Sequence, residues 1–250
     1  MKGKIVNIIL GITPLIIFLL LWEFVFSTSE KSIFLFASPS LVFESLIENI
    51  SNGVFFTDFV TIGLETFFGF LLGNFTGIIV GLTLWYSKKI ALLSKPYIVA
   101  IGAIPIFAIA PMMIIWFGTG LFAKVMMAAI STFTIAVTQS YEGAKNVDEN
   151  QIHLLQSFGA SNNQVFTKLV IPSSLIWLLN SLKLNVSFAI LGAFIGEFIS
   201  ADSGLGYRAL KAGGLYDIPL VIASILGIVL LAFLFSLLIY LFEKLIVKWK

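Results

Sequence analysis

About six long apolar stretches, at 5–26, 59–85, 97–117, 121–140, 174–198 and 218–242, constrain this chain more than anything else in it. A helix crosses the hydrocarbon of a bilayer in roughly 20 residues. In lipid every backbone N–H and C=O must find its partner inside the protein, which helices achieve locally. The expected fold class is therefore all-α integral membrane, with about six transmembrane helices. Of 250 residues, 59% are hydrophobic and 11% charged, with a mean hydropathy of +1.04. A soluble domain carries about 25% charged residues, so there are too few here to solvate a surface. Soluble enzymes, nucleic-acid binders and disordered chains are excluded, and the lipid bilayer is the first partner implied. Cysteine is absent and His153 is the single histidine. That rules out disulfides, thiol nucleophiles, thiolate metal sites and histidine-cluster sites. No catalytic and no metal-binding residue is assigned.

The first stretch follows Lys2 and Lys4, is longer than a signal-peptide core and is not followed by an Ala-x-Ala site, so it reads as a retained span. In the second, Gly69, Gly73 and Gly77 recur every four residues, a spacing that lets helix backbones approach closely in lipid. With both termini in the cytoplasm, Lys2, Lys4, Lys88, Lys89, Lys95, Lys145, Lys168, Lys244, Lys248 and Lys250 face inward. Lys31, Lys124, Arg208 and Lys211 then face outward, and Lys183 sits within a span. That bias is the one the positive-inside rule asks for. Trp85, Trp116 and Trp249 fall near span ends as interfacial anchors. Ser38-Pro39-Ser40 leads into Val42, Phe43, Leu46, Ile47 and Ile50, with Glu44 and Glu48 between them. This is the pattern of an amphipathic helix with proline in its first turn, resting on the outer membrane surface.

The most polar segment, 141–173, separates the fourth and fifth stretches. Asp148 and Gln151 are spaced as a capping box, Ile152, Leu154, Leu155 and Phe158 follow, and Gly159 supplies a left-handed stop. Ser161 and Gln164 repeat the box, and the next helix is expected to run to Pro172. Two short capped helices joined at a glycine make a compact hairpin. Its ridge of Leu154, Leu155 and Phe158 is either a docking surface for another protein or an apolar face that folds back onto the ends of its own bundle.

Gly159, nine residues and then Leu169-Val170-Ile171-Pro172 resembles the EAA loop of ABC-importer permeases. The loop's Glu-Ala-Ala positions fall here on His153, Leu154 and Leu155, a departure that removes the acid and both alanines. Ala37-Ser38-Pro39-Ser40, Ile104-Pro105, Ala110-Pro111, Ile115-Trp116-Phe117-Gly118, Gly196-Glu197 and Gly204-Leu205-Gly206-Tyr207 are similar, in order, to runs in permeases of the nitrate, taurine and aliphatic-sulfonate group. The resemblance covers nearly the whole chain. It implies a type I ABC importer permease fold in one domain, 1–250. Within it, 1–55 would hold the first span and the outer segment, 56–245 the permease core, and 141–173 a cytoplasmic coupling loop. The same resemblance implies an ATPase-docking role for Asp148, Gln151, His153, Leu154, Leu155, Phe158, Gly159 and Pro172.

Implied partners are two copies of a cytoplasmic ATP-binding subunit, a second permease chain (identical or a close paralogue) and an extracytoplasmic substrate-binding protein. The location implied is the bacterial inner membrane. The chain has no Gly-x-x-x-x-Gly-Lys-Ser/Thr phosphate loop, so ATP and magnesium are expected on the partner subunit. Implied cargo is a small polar solute: nitrate, taurine, another sulfonate or a pyrimidine vitamin precursor.

Ionisable groups inside spans default to functional roles. Glu197 is the foremost candidate for a gate or inter-subunit contact, against the alternative of a structural pairing inside the chain. Pro105 and Pro111 are expected to distort the third span, with Met112, Trp116, Asn185 and Ser187 either pathway neighbours or ordinary helix-packing residues, packing being the commoner role for such positions. Asp202 and Arg208 bracket the outer glycine loop, where they meet a binding protein or are simply solvated. Glu23 and Glu65 read as interfacial snorkelling groups, and Lys183 as a lysine reaching for the cytoplasmic interface. The alternative class is a secondary transporter or channel driven by an ion gradient, but no internal repeat and no mid-span acid cluster accompany it. A membrane-embedded enzyme lacks any constellation for its chemistry.

Overall fold

The computed structural model describes residues 2–200 and 202–246, with backbone alone at 2–9, 11 and 12. The side chains of Lys2 and Lys4, and all of Lys248, Trp249 and Lys250, lie outside the described residues. Within them the chain is helical: α1 (Lys2–Phe26), α2 (Glu30–Phe36), α3 (Pro39–Ser51), α4 (Val54–Thr83), α5 (Lys88–Ala103), α6 (Ile106–Phe117), α7 (Leu121–Lys145), α8 (Glu149–Ser157), α9 (Asn162–Val165), α10 (Ile171–Ser200), α11 (Leu205–Gly214) and α12 (Ile218–Ile246). Segments Val54–Tyr86, Leu121–Lys145, Asn162–Ser200 and Ile218–Ile246 are long and apolar enough to cross a membrane alone, and counting each of two bent helix pairs as one span gives six.

One bent pair corrects the expected continuous span at 97–117. The chain turns by 88° between α5 and α6. Pro105 has no N–H to continue the helix and pushes the preceding residue out of the helical region. Ile104 is extended accordingly, at φ −72° and ψ 120°. Pro111 was expected to distort the same span, yet it sits inside α6 without ending it.

The core is α4 packed on α7, with α10 against both. Gly69, Gly73, Gly77 and Gly81 form the seam. A Cβ on Gly69 would stand 2.8 Å from the Val125 carbonyl oxygen, and one on Gly77 would stand 2.7 Å from that of Phe133. At Gly73 it would overlap the Thr132 hydroxyl and the Ala129 carbonyl. Gly192 brings α10 equally close to α7 at Met127. The sequence periodicity thus marks the contact correctly, because in lipid close backbone packing replaces the hydrophobic drive between helices. Gly73→Ala is expected to cost about 1–3 kcal/mol as the two helices are forced apart. An unchanged thermal unfolding midpoint of the purified variant would contradict that seam.

The two ends of the bundle are built differently. At one end Ala37, Val42 and Ala223 form a small apolar cluster with Trp22, tying α3 to α12 and α1. Glu23 corrects its reading as a snorkelling group, since it accepts hydrogen bonds from Ser40 N–H (3.0 Å) and Ser40 Oγ (2.9 Å) and so caps the start of α3. At the opposite end Leu82, Ala144, Val147, Val165 and Val170 form a second cluster under α8 and α9. Trp85 packs into it, its ring 5.6 Å from that of Phe166, so it anchors helices to each other as well as marking a span end. Lys183 forms an ion pair with Glu243 of α12 at 2.7 Å, which supplies the partner its position in α10 requires.

Candidate functional site

At the α8–α9 end, Asp148 caps α8 by accepting from Asn150 N–H at 2.9 Å, one residue earlier than the expected box with Gln151. Gly159 adopts φ +83°. Gly159 N–H then donates to Gln156 O at 2.9 Å and Ala160 N–H to Leu155 O at 3.1 Å, closing the helix end in a Schellman arrangement. The second box forms as expected: Gln164 N–H donates to Ser161 Oγ and Ser161 N–H to Gln164 Oε1. Pro172 is corrected as a stop. The helix passes through it after a wide π turn at Phe166–Val170, in which Ile171 N–H donates to Phe166 O. Such a turn relieves the clash that proline makes with the preceding turn.

The two readings of the ridge divide between its residues. Leu155 and Ile152 are half-buried against the Leu82–Val165 cluster, so that face does fold back. Leu154 and Phe158 do not: they are 57% and 80% exposed. Tyr86 Oη donates to Asn163 Oδ1 at 3.1 Å, and Lys88 pairs with Glu149 at 3.3 Å across the exposed surface. Together with the apolar cluster these contacts hold the hairpin to the α4–α5 junction. His153 and Gln156 line a groove of about 360 Å³ beside it. Gln151 is exposed with no role in the cap.

The opposite end carries a buried polar layer that sequence reading did not assemble. Glu65 and Lys124 are 0% and 3% exposed and form an ion pair at 3.5 Å. Snorkelling for Glu65 does not survive that placement, and Lys124 is buried in an ion pair. The lysine stem runs along Gly196, where a Cβ would stand 2.8 Å from its Cγ. Glu197, 0% exposed, adjoins Glu65 and accepts from Gly206 N–H at 2.7 Å. It is enclosed within this chain and offers no surface to a second one, which corrects its reading as an inter-subunit contact. Gly204 has φ +103°, and a Cβ there would collide with the Glu197 carboxylate. Asp58, also buried, accepts from Gly204 N–H at 2.8 Å and from Arg208 Nε, while Arg208 Nη1 reaches Asn49 Oδ1 at 3.5 Å. Arg208 therefore clamps α11 to α4 and α3 instead of standing free in solvent. Asp202 lines a cavity of about 560 Å³ together with Glu65, Lys124 and Thr61.

Of the four candidate pathway neighbours, Asn185 takes the packing role. It is 0% exposed and donates to Asn74 Oδ1 (2.6 Å) and to the Thr132 carbonyl (3.2 Å), locking α10 to α4 and α7. Met112, Trp116, Pro105, Pro111 and Ser187 are exposed on the surface of the chain. None of these five lines the cavity that does form beside the α5–α6 break. That cavity, about 400 Å³, is bounded by Gly102, Ile104, Ile106, Ser131, Thr134, Thr138, Gln139 and Phe188, among others. Its hydroxyl stripe on α7 was legible as Ser131, Thr134 and Thr138 at helical spacing, but the stripe lies in a span read only for its hydropathy.

Residues 73–249 match the family described as binding-protein-dependent transport system inner membrane component. A probable ABC transporter permease protein of Haemophilus influenzae is 30% identical over 213 residues, covering 85% of this chain and 86% of that one. The formylaminopyrimidine transport permease protein ThiX of Halalkalibacterium halodurans is 29% identical over 246 residues, covering 96% of each. In structure, the chain resembles a chain of the inward-facing methionine ABC transporter MetNI, with a TM-score of 0.64 at 17% identity over 78% of this chain and 95% of that one. That likeness shows the fold.

Proposed function

The chain belongs to the family of binding-protein-dependent transport system inner membrane components, and from that premise we propose that it is the permease of an ATP-driven importer whose energy enters through the α8–α9 hairpin. The observation that carries the reading is the pair Leu154 and Phe158, held exposed at 57% and 80% on a hairpin whose other face is anchored in the bundle. An apolar ridge held on a polar, capped hairpin marks a surface that another protein covers, and the missing phosphate loop requires that protein to bring ATP and magnesium. Two ATPase subunits would bind two permease chains, with the amino and carboxyl termini and the hairpin in the cytoplasm. ATP-driven closure of the ATPases would then move α8 and, through the Leu82–Val165 cluster, α4 and α10.

The cargo is a small polar solute handed over by an extracytoplasmic binding protein. A pyrimidine vitamin precursor is among the candidates, as the similarity to a formylaminopyrimidine permease suggests, and sulfonates, taurine and nitrate are the others. The test is uptake into vesicles reconstituted with the chain, its ATPase and its binding protein. Uptake is expected to need both ATP and the binding protein. Uptake by this chain alone, driven by an ion gradient, would reject the proposal in favour of a secondary transporter or channel.

A further inference from the structure

The 400 Å³ cavity beside the α5–α6 break has a composition that discriminates by charge. None of the residues lining it is charged, and its polar groups are Ser131, Thr134, Thr138 and Gln139. Two of the hydroxyls are already oriented. Ser131 Oγ donates to Met127 O and Thr138 Oγ1 to Thr134 O, each at 2.9 Å. Their protons are committed to the helix backbone, so the oxygens meet a ligand as acceptors. The end of α5 and the start of α6 both border the cavity, at Ile101, Gly102 and Ile106, and the opposite partial charges of two such helix ends offset each other. At the α11 end of α7 a separate cavity holds one lysine against two carboxylates, Lys124 with Glu65 and Asp202, and so offers no net positive charge.

We infer that this cavity is the solute's path, and that it accepts an uncharged solute bearing N–H donors on an apolar ring in preference to an anion. The inference rests on the transport reading above and narrows its cargo. An anion entering here loses its water without gaining a cation and must pull two hydroxyl protons away from the backbone. A neutral aminated ring does neither. Its N–H groups find the Ser131 and Thr138 oxygens, and its faces find Ile101, Ile130 and Phe188.

The test uses the full chain in lipid nanodiscs, without ATP or partners, so that it can fail while ATP-dependent uptake stands, or hold while uptake fails. Saturation-transfer NMR with cytosine as the neutral probe and ethanesulfonate as the anion reports occupancy of each. Cytosine is expected to bind, and ethanesulfonate to bind at least tenfold more weakly. The double variant Ser131→Ala/Thr138→Val removes two acceptors whose only recorded bonds are within their own helix, and should weaken cytosine about tenfold. Equal or tighter binding of ethanesulfonate, no cytosine binding, or cytosine binding untouched by the double variant would each overturn the inference. So would a variant that only shifts the chain between dimer and monomer, which would give the cavity to a second copy of the chain.

Discussion

Lys124→Met is expected to destabilise the fold by about 3–5 kcal/mol, the cost of breaking a buried ion pair from one side. In a chain of this size that lowers the thermal midpoint by roughly 10 °C. The reason lies in what surrounds the lysine. Among the described residues its ammonium is the one cation facing the two buried carboxyl groups, Glu65 on α4 and Glu197 on α10. Glu197 receives the Gly206 N–H, but Glu65 has no other recorded partner than Lys124 and its neighbouring acid. A methionine keeps the length and volume of the lysine while removing its charge, so the loss reads electrostatics more than packing. Glu65→Gln should be the milder change, because Lys124 keeps Glu197 beside it. The double variant Glu65→Gln/Lys124→Met should be more stable than Lys124→Met alone. If the three variants unfold together with the wild type, the layer contributes nothing and the pairing is wrong.

That layer also explains where sequence reading fell short. The spans were legible because lipid forces a long apolar helix whatever its neighbours, and the Gly69–Gly73–Gly77 phase because close packing demands small residues at one register. Gly159 and the Ser161–Gln164 box were legible because both are contacts between residues a few positions apart. Glu65, Lys124 and Glu197 were each visible as charges in apolar surroundings, but their meeting joins three helices whose rotation about their axes no local pattern specifies. Asp58 and Arg208 fail for the same reason, being 150 residues apart in sequence. Asn185 stayed open between pathway and packing because a polar residue in a span looks alike whether it faces a solute or, as here, Asn74 and a backbone carbonyl on the neighbouring helices. Pro105 shows a different limit. Its chemistry forecast a distortion, but the 88° turn and the cavity behind it depend on how α5 and α6 pack against α7.

The hairpin yields the second large effect. Leu154→Asp with Phe158→Asp should abolish co-purification of the ATPase subunit and reduce ATP-driven uptake to background while leaving the thermal midpoint of the permease within a few degrees. Both side chains stand in water in the isolated chain, so a carboxylate there costs the fold little, whereas at a protein–protein contact it would be buried without a partner. Leu155→Asp provides the contrast. Leu155 packs on the Leu82–Val165 cluster and its carbonyl accepts the Ala160 N–H that closes α8, so a charge there should loosen the hairpin itself and lower stability as well as coupling. The distinction separates recognition from scaffolding within little more than one helical turn. Retention of the ATPase by the Leu154/Phe158 double variant would place the contact elsewhere, with the groove at His153 and Gln156 the next surface to change. Loss of stability in that variant equal to that of Leu155→Asp would mean that all three side chains serve the fold, and that the hairpin is no docking element.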